Sequence, residues 1–299
     1  MKTFPIIVLA LAAIVAAGAA SAQAPDMEVM KKTCQAAANL PVSQRAESLR
    51  DLARAERQAF HLKEQLYELD TSNILVGDKT QPAWTRVRDY YLTAKVDGSI
   101  YVTHTEGRKS TNYNYKGTLE PKVAQAFQNP ADRSIVDDAV LRAGLYDTPW
   151  SAAFISAMMI NAGFTRDQWT PAAAHSSYIE AALTKGHAEG SNYAYVACDP
   201  DWVRPRVGDL ICYARATTSP KSFSEVVDRV TKNRGGYESH CDIVTSSDPT
   251  MKAMTSIGGN VKNTVYESDR KFGAGATAPL SSVVGQKWIA ALILARPGG

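Results

Sequence analysis

Over the first third of the chain, apolar residues recur with a helical period. Leu49, Leu52, Ala53, Phe60, Leu62, Leu66 and Leu69 follow at steps near three and four with charges between them, which predicts a long amphipathic helix within residues 41–70. Pro41-Val42-Ser43 is placed to start it, and Glu47 falls in its first turn. Residues 26–38 and 83–95 are predicted as further helices. Residues 71–82, punctuated by Asn73, Gly77, Asp78 and Pro82, are predicted as a loop. Residues 99–105 alternate and are β-branched, so a strand is expected there, followed by a polar, Asn- and Tyr-rich surface loop over 107–117.

Helical patterns return at residues 131–143, ending at Gly144, and at 151–162, where the pattern is strongly apolar. A third covers 172–185, with Tyr178, Ile179, Ala182 and Leu183 on one face. After Pro205 the period changes. Residues 209–214, 240–245, 251–257, 261–266 and 287–295 read as strands. Helices followed by a run of strands predict an α+β fold. No internal repeat is present.

Composition narrows the class. Apolar residues make up 45% of the 299 and charged residues 21%, which excludes a disordered chain and permits a full core. With 33 basic against 30 acidic residues and no basic stripe interleaved with aromatics, nucleic acid is not an expected partner. Met1-Lys2-Thr3, an apolar run over 4–20 and Ser21-Ala22-Gln23-Ala24-Pro25 form a secretory signal. Cleavage is expected after Ala22, because the alternative would leave Pro25 at the new terminus. The expected organisation is a signal peptide over 1–22, a helical region over 23–95 and a second domain over 96–299, in a periplasmic or secreted protein with no membrane contact after cleavage. Nothing in the sequence specifies the oligomeric state.

Export gives the four cysteines their meaning. Cys34, Cys198, Cys212 and Cys241 permit two disulfides in three pairings. Cys212 and Cys241 lie in predicted strands and pair if those strands are neighbours. No C-x-x-C occurs, which argues against zinc ribbons and thioredoxin-like redox sites.

The candidate chemistry lies in the second half. Ser151 follows Pro149-Trp150 at the start of the apolar helix, where orphan N–H groups and the helix dipole stabilise negative charge on a nucleophile or an oxyanion. The competing role for Ser151 is a helix N-cap. His240 opens an apolar strand and is the candidate base. Asn260 or Asp242 is its candidate orienting partner, Asp242 because alternation puts it on the same face as His240 and puts Cys241 on the other. Trp150, His175, Tyr178 and Asp209 are the candidate substrate-binding residues. His175, His240 and Asp242 do not follow a recognised helical zinc spacing, so no metal is expected. His61, His104 and His187 are expected at the surface. Walker A, G-x-G-x-x-G, G-x-S-x-G, S-x-x-K and H-E-x-x-H motifs are absent, and no cofactor is expected.

Read in order, residues 139–288 resemble the papain-like peptidoglycan amidases and peptidases of the NlpC and CHAP type. Those families carry a nucleophile at a helix N-terminus, then a Pro-x-x-Gly-Asp-Leu strand, then a strand beginning with the base His, then a polar third residue. Here these positions are Ser151, residues 205–210, His240 and Asn260. The chain resembles more closely the bacterial family named domain of unknown function 2272. The motifs are Pro-Trp-Ser-Ala-Ala-Phe-Ile-Ser, Ala-His-Ser-Ser-Tyr-Ile, Val-Gly-Asp-Leu-Ile-Cys, His-Cys-Asp-Ile-Val and Ile-Gly-Gly-Asn-Val. The resemblance implies a papain-like domain with helices packed on an antiparallel sheet, preceded by the N-terminal helical region. It also implies hydrolysis of an amide bond in peptidoglycan stem peptides, or a catalytically silent module that binds peptidoglycan or a protein partner. The departure is chemical: the nucleophile of the papain-like families is cysteine, and a serine hydroxyl depends on a well-placed base where a thiol is already partly ionised.

Overall fold

The computed structural model describes residues 26–60, 83–273 and 278–296. The expected signal segment, the helical pattern beyond residue 60 with His61, and the loop expected over 71–82 lie outside the described residues.

Eight helices are found among the described residues, with one six-stranded antiparallel sheet and a separate hairpin. Helices α1 (Met27–Ala38) and α2 (Gln44–Ala59) start where side chains can cap them. Asp26 accepts from the N–H groups of Glu28 and Val29, and Ser43 accepts from that of Ala46. The apolar stripe of α2 buries Ala46, Leu49 and Ala53. Helix α3 (Ala83–Ala94) leads into the hairpin β1 (Tyr101–Glu106) and β2 (Lys109–Asn114), and α4 (Glu120–Ala126) and α5 (Pro130–Asp147) follow. Then come α6 (Ser151–Asn161), α7 (His175–Thr184), β3 (Tyr195–Cys198), β4 (Leu210–Ala214) and α8 (Phe223–Thr231). Strands β5 (Ser239–Asp248), β6 (Ala253–Gly258), β7 (Tyr266–Lys271) and β8 (Trp288–Leu294) complete the sheet, in the order β3-β8-β4-β5-β6-β7.

The centre of the fold is α6. Every residue from Ser151 to Met159 is buried, and the helix packs on α2, α3, β5 and β6. Burying Phe154, Ile155, Met158 and Met159 contributes roughly 1.5–3 kcal/mol each. Leu49 of α2, Val87 and Tyr91 of α3 and Trp150 before α6 join one core with Cys212, Cys241 and Ile257 of the sheet. On the other face, α1 brings Cys34 and Ala37 against Val196, Ile211, Val244 and Ile293.

Both disulfides form, and they fit an exported protein. Cys212 and Cys241 are directly opposed on β4 and β5 and bridge at a Cα separation of 4.1 Å. Cys34 bridges to Cys198, tying α1 to β3 at 5.8 Å. No helix among the described residues is long and apolar enough to cross a membrane.

Several expected elements differ. The polar stretch 107–117 contains β2, whose residues are exposed apart from the half-buried Asn114, so no apolar alternation marked it. Helix α5 runs on through Gly144 to Asp147; a Cβ at Gly144 would lie 2.7 Å from Ile100 Cγ2, so glycine there lets the chain entering β1 close on the helix. Residues 195–198, where no strand was expected, form β3, and all four are buried. The strand expected over 261–266 begins only at Tyr266. Helix α8 was not anticipated, although Ser222 caps it by accepting from the Glu225 N–H.

Candidate active site

Ser151 is the first residue of α6. The N-cap is Trp150, and no side chain caps this helix. The Ser151 hydroxyl is therefore not spent on capping. Its Oγ lies 2.6 Å from Nε2 of His175. His175 is itself the first residue of α7, another helix start without a side-chain cap. Two helix N-termini thus meet at one hydroxyl and one imidazole.

The other His175 nitrogen, Nδ1, is hydrogen-bonded to the Tyr178 hydroxyl one turn along α7. The Tyr178 ring packs against Trp169, with ring centroids 4.8 Å apart. Burial, and after it the charges of His240 and Arg215, hold the His175 imidazole well below its ordinary pKa, so the ring is neutral. Burial likewise pushes the Tyr178 phenol well above its ordinary value, with Asp242 and Tyr193 adding to it. Tyr178 is a neutral hydroxyl that can donate or accept.

A second polar group stands beside the first. The ring centroids of His240 and His175 are 4.9 Å apart. His240 Nε2 lies 3.0 Å from Asp242 Oδ1, two residues along the same face of β5. Arg270 of β7 donates from Nη2 to Asp242 Oδ2 at 2.8 Å, and Ser256 of β6 donates to the same oxygen at 3.3 Å. Arg270 Nε also donates to Ser256 Oγ at 3.2 Å. Burial works to raise the Asp242 carboxyl, but the hydrogen bond from His240 and the charge of Arg270 outweigh it and hold it below its ordinary value. An ionised Asp242 is an acceptor only, so His240 carries a proton on Nε2, and Nδ1 is the ring's other nitrogen. That Nδ1 is buried and has no hydrogen-bond partner.

Glycine makes room for the pair. A Cβ at Gly258 would lie 2.1 Å from Asp242 Oδ1 and 2.8 Å from His240 Nε2, and one at Gly259 would lie 2.7 Å from Phe154 Cβ on α6. Neither has the positive φ of a turn glycine. Their role is close packing rather than reversal of the chain.

The structure places the remaining sequence-predicted residues as follows. Ser151 is paired with His175, which was expected to bind substrate or act as a second acid or base, and not with His240. Asp242 occupies His240 Nε2. Asn260 adopts the left-handed backbone region, with φ +55°, in the connection from β6 to β7. Trp150 is fully buried and stacked on Phe60, inside the core rather than along a groove. Tyr178 is buried too and reaches the site through His175. Asp209 serves the scaffold: it accepts from the N–H groups of Leu294 and Arg206 and is ion-paired with the Arg206 guanidinium. Burial pushes its carboxyl up to about 6 against the pull of Arg206. His104 is exposed as expected. His187 is half-buried against the Ala197 carbonyl, so its surface placement is corrected. Sequence reasoning missed Arg270 and Ser256: Arg270 lies on the polar strand β7, and nothing in the pattern of β6 marked Ser256 as a partner for Asp242. No group of three or more His, Cys, Asp or Glu residues among the described residues is arranged to hold a metal ion.

A family model described as "Uncharacterized protein conserved in bacteria (DUF2272)" matches residues 78–274. That span includes all seven side chains of the two polar groups: Ser151, His175, Tyr178, His240, Asp242, Ser256 and Arg270. No curated protein and no solved structure matches the chain.

Proposed function

The chain belongs to the DUF2272 family, and we propose that it is a serine hydrolase acting in the periplasm or outside the cell on an amide bond of peptidoglycan stem peptides. The observation that carries this is the 2.6 Å contact between Ser151 Oγ and His175 Nε2 at the uncapped start of α6. The motif order shared with papain-like NlpC and CHAP amidases, and the export signal, support the substrate class.

The chemistry follows from the pairings. When Tyr178 accepts from His175 Nδ1–H, Nε2 presents a lone pair to the Ser151 hydroxyl. Ser151 Oγ bonds to the acyl carbon and its proton passes to His175 Nε2. The first N–H groups of α6 face the developing oxyanion. The C–N bond then breaks, the leaving amine takes a proton and an acyl-serine remains. Water attacks that ester, releasing a carboxylic acid and regenerating Ser151. His240, oriented by Asp242, offers Nδ1 as a second proton site for the leaving amine or the attacking water. His175 thus takes the role that the sequence offered to His240.

A second reading has its own observation. Ser151, His175 and His240 are only 4%, 5% and 1% exposed, which suits a silent module that binds peptidoglycan or a protein through the same face. Mass spectrometry of soluble fragments after incubation with sacculi separates the two. The hydrolase releases fragments that disappear with Ser151→Ala and with His175→Ala. Sacculus binding without fragments from the wild type would establish the binding module.

A further inference from the structure

The connection from β4 to β5, residues 215–238, borders the site at both ends. Tyr213 is directly opposite His240 in the ladder, with ring centroids 5.3 Å apart. Ala214 is opposite Ser239, and the Arg215 N–H donates to the Glu238 carbonyl at 3.2 Å. The ladder therefore continues to Arg215, and alternation puts its side chain on the face that carries Tyr213 and His240.

Three arginines lie in this connection. Arg229 is committed to the carbonyls of Gly235 and Gly236, at 3.0 and 3.1 Å. Arg234 is ion-paired with Asp228. Arg270, the other arginine at the site, is held by Asp242. Among the described residues, only Arg215 of these four has no partner for its guanidinium. Glu238, its exposed neighbour across the ladder, forms no ion pair with it. Arg215 is exposed, yet its charge reaches both the His175 ring and Tyr213. Asp242 and Arg270 are ion-paired with each other, and His240 Nδ1 has no hydrogen-bond partner, so Arg215 is the cation of this region not already engaged by a described side chain.

We propose that Arg215 is a specificity residue that binds a carboxylate of the substrate, so that this site selects acyl compounds bearing a free carboxylate near the bond presented to Ser151. The proposal rests on the reading of Ser151 as the reacting centre. A planar guanidinium matches a carboxylate with two parallel N–H donors, and among the described residues no protein acceptor occupies it.

The test is equilibrium binding by calorimetry, with the full protein carrying Ser151→Ala so that nothing is cleaved. The probe is a stem tetrapeptide released from sacculi, with its carboxylates either free or converted to methylamides. The free acid is expected to bind about tenfold tighter or more, the worth of one charge-assisted contact. Arg215→Gln is expected to erase that preference, and Arg215→Lys to restore part of it. Equal binding of the two peptides, a preference that survives Arg215→Gln, or binding of neither peptide overturns the proposal. Cleavage is read separately on the chain with Ser151 intact. An Arg215-dependent preference with no cleavage overturns the hydrolase reading and leaves the carboxylate site standing.

Discussion

Adding a single methyl group at Gly258 tests the architecture of the site directly. In Gly258→Ala the new Cβ falls 2.1 Å from Asp242 Oδ1 and 3.2 Å from Asp242 Cγ, with His240 Nε2 at 2.8 Å. The first distance is about 1 Å or more inside van der Waals contact. Either β6 shifts, or the Asp242 carboxylate moves off His240. Overpacking of this kind costs about 1–3 kcal/mol, and separating a buried ion pair costs about 3–5 kcal/mol. The cheaper route sets the outcome, so a loss of about 1–3 kcal/mol is expected. Denaturant unfolding measures it as a midpoint shift at constant slope. Gly98→Ala is the control: nothing lies within 4 Å of its Cβ, and its effect should stay within about 0.5 kcal/mol. The pH dependence tells which route was taken. Asp242 titrates below its ordinary value, so its contribution is present above the unfolded carboxyl pKa and is lost as pH falls through the folded one. If the pair yields, Gly258→Ala flattens that acid loss; if the strand yields, the loss persists. A Gly258→Ala protein as stable as Gly98→Ala would show that β6 does not crowd the pair and that the account of Gly258 is wrong.

Four further outcomes are expected. Because His175 is held well below its ordinary pKa, the acid limb of kcat/KM for stem-peptide hydrolysis should fall below pH 6.5; a limb at or above that value would remove His175 as the base. By the same shift, His175 contributes stability that is present above the unfolded His pKa and lost as pH falls through the folded one, so unfolding curves of His175→Gln should lose part of the wild type's acid sensitivity. Tyr178→Phe deletes the partner of His175 Nδ1 and should lower kcat about tenfold or more with an unchanged far-UV spectrum; full activity would make Tyr178 a packing residue only. The disulfides close loops of unequal length, 164 and 29 residues of separation. Chain entropy then makes removal of Cys34–Cys198 cost about 5 kcal/mol against about 3–4 for Cys212–Cys241, to be compared by thermal melts of the paired serine variants.

Local periodicity made much of this protein legible. The apolar run starting at Ser151 is a buried helix, and the alternation that puts His240 and Asp242 on one face is realised as a 3.0 Å contact. Cys212 and Cys241 pair because the strands that carry them are neighbours. These features depend on residues within one element or on two adjacent strands, where a period of 2 or 3.6 already determines which side chains share a face. Strand β3 escaped because four residues buried on both faces show no alternation, and β2 because an exposed hairpin shows none either.

The partnership at the centre of the site was decided by tertiary structure alone. Ser151 and His175 are 24 residues apart, each at the start of its own helix, and nothing periodic links them. Arg270 reaches Asp242 from two strands away across β6, and Gly258 is required because Asp242 and His240 lean over that strand. Such choices depend on how helix ends and strands pack in three dimensions. The sequence therefore supplied the chemical groups and their faces, and packing selected which imidazole met the serine.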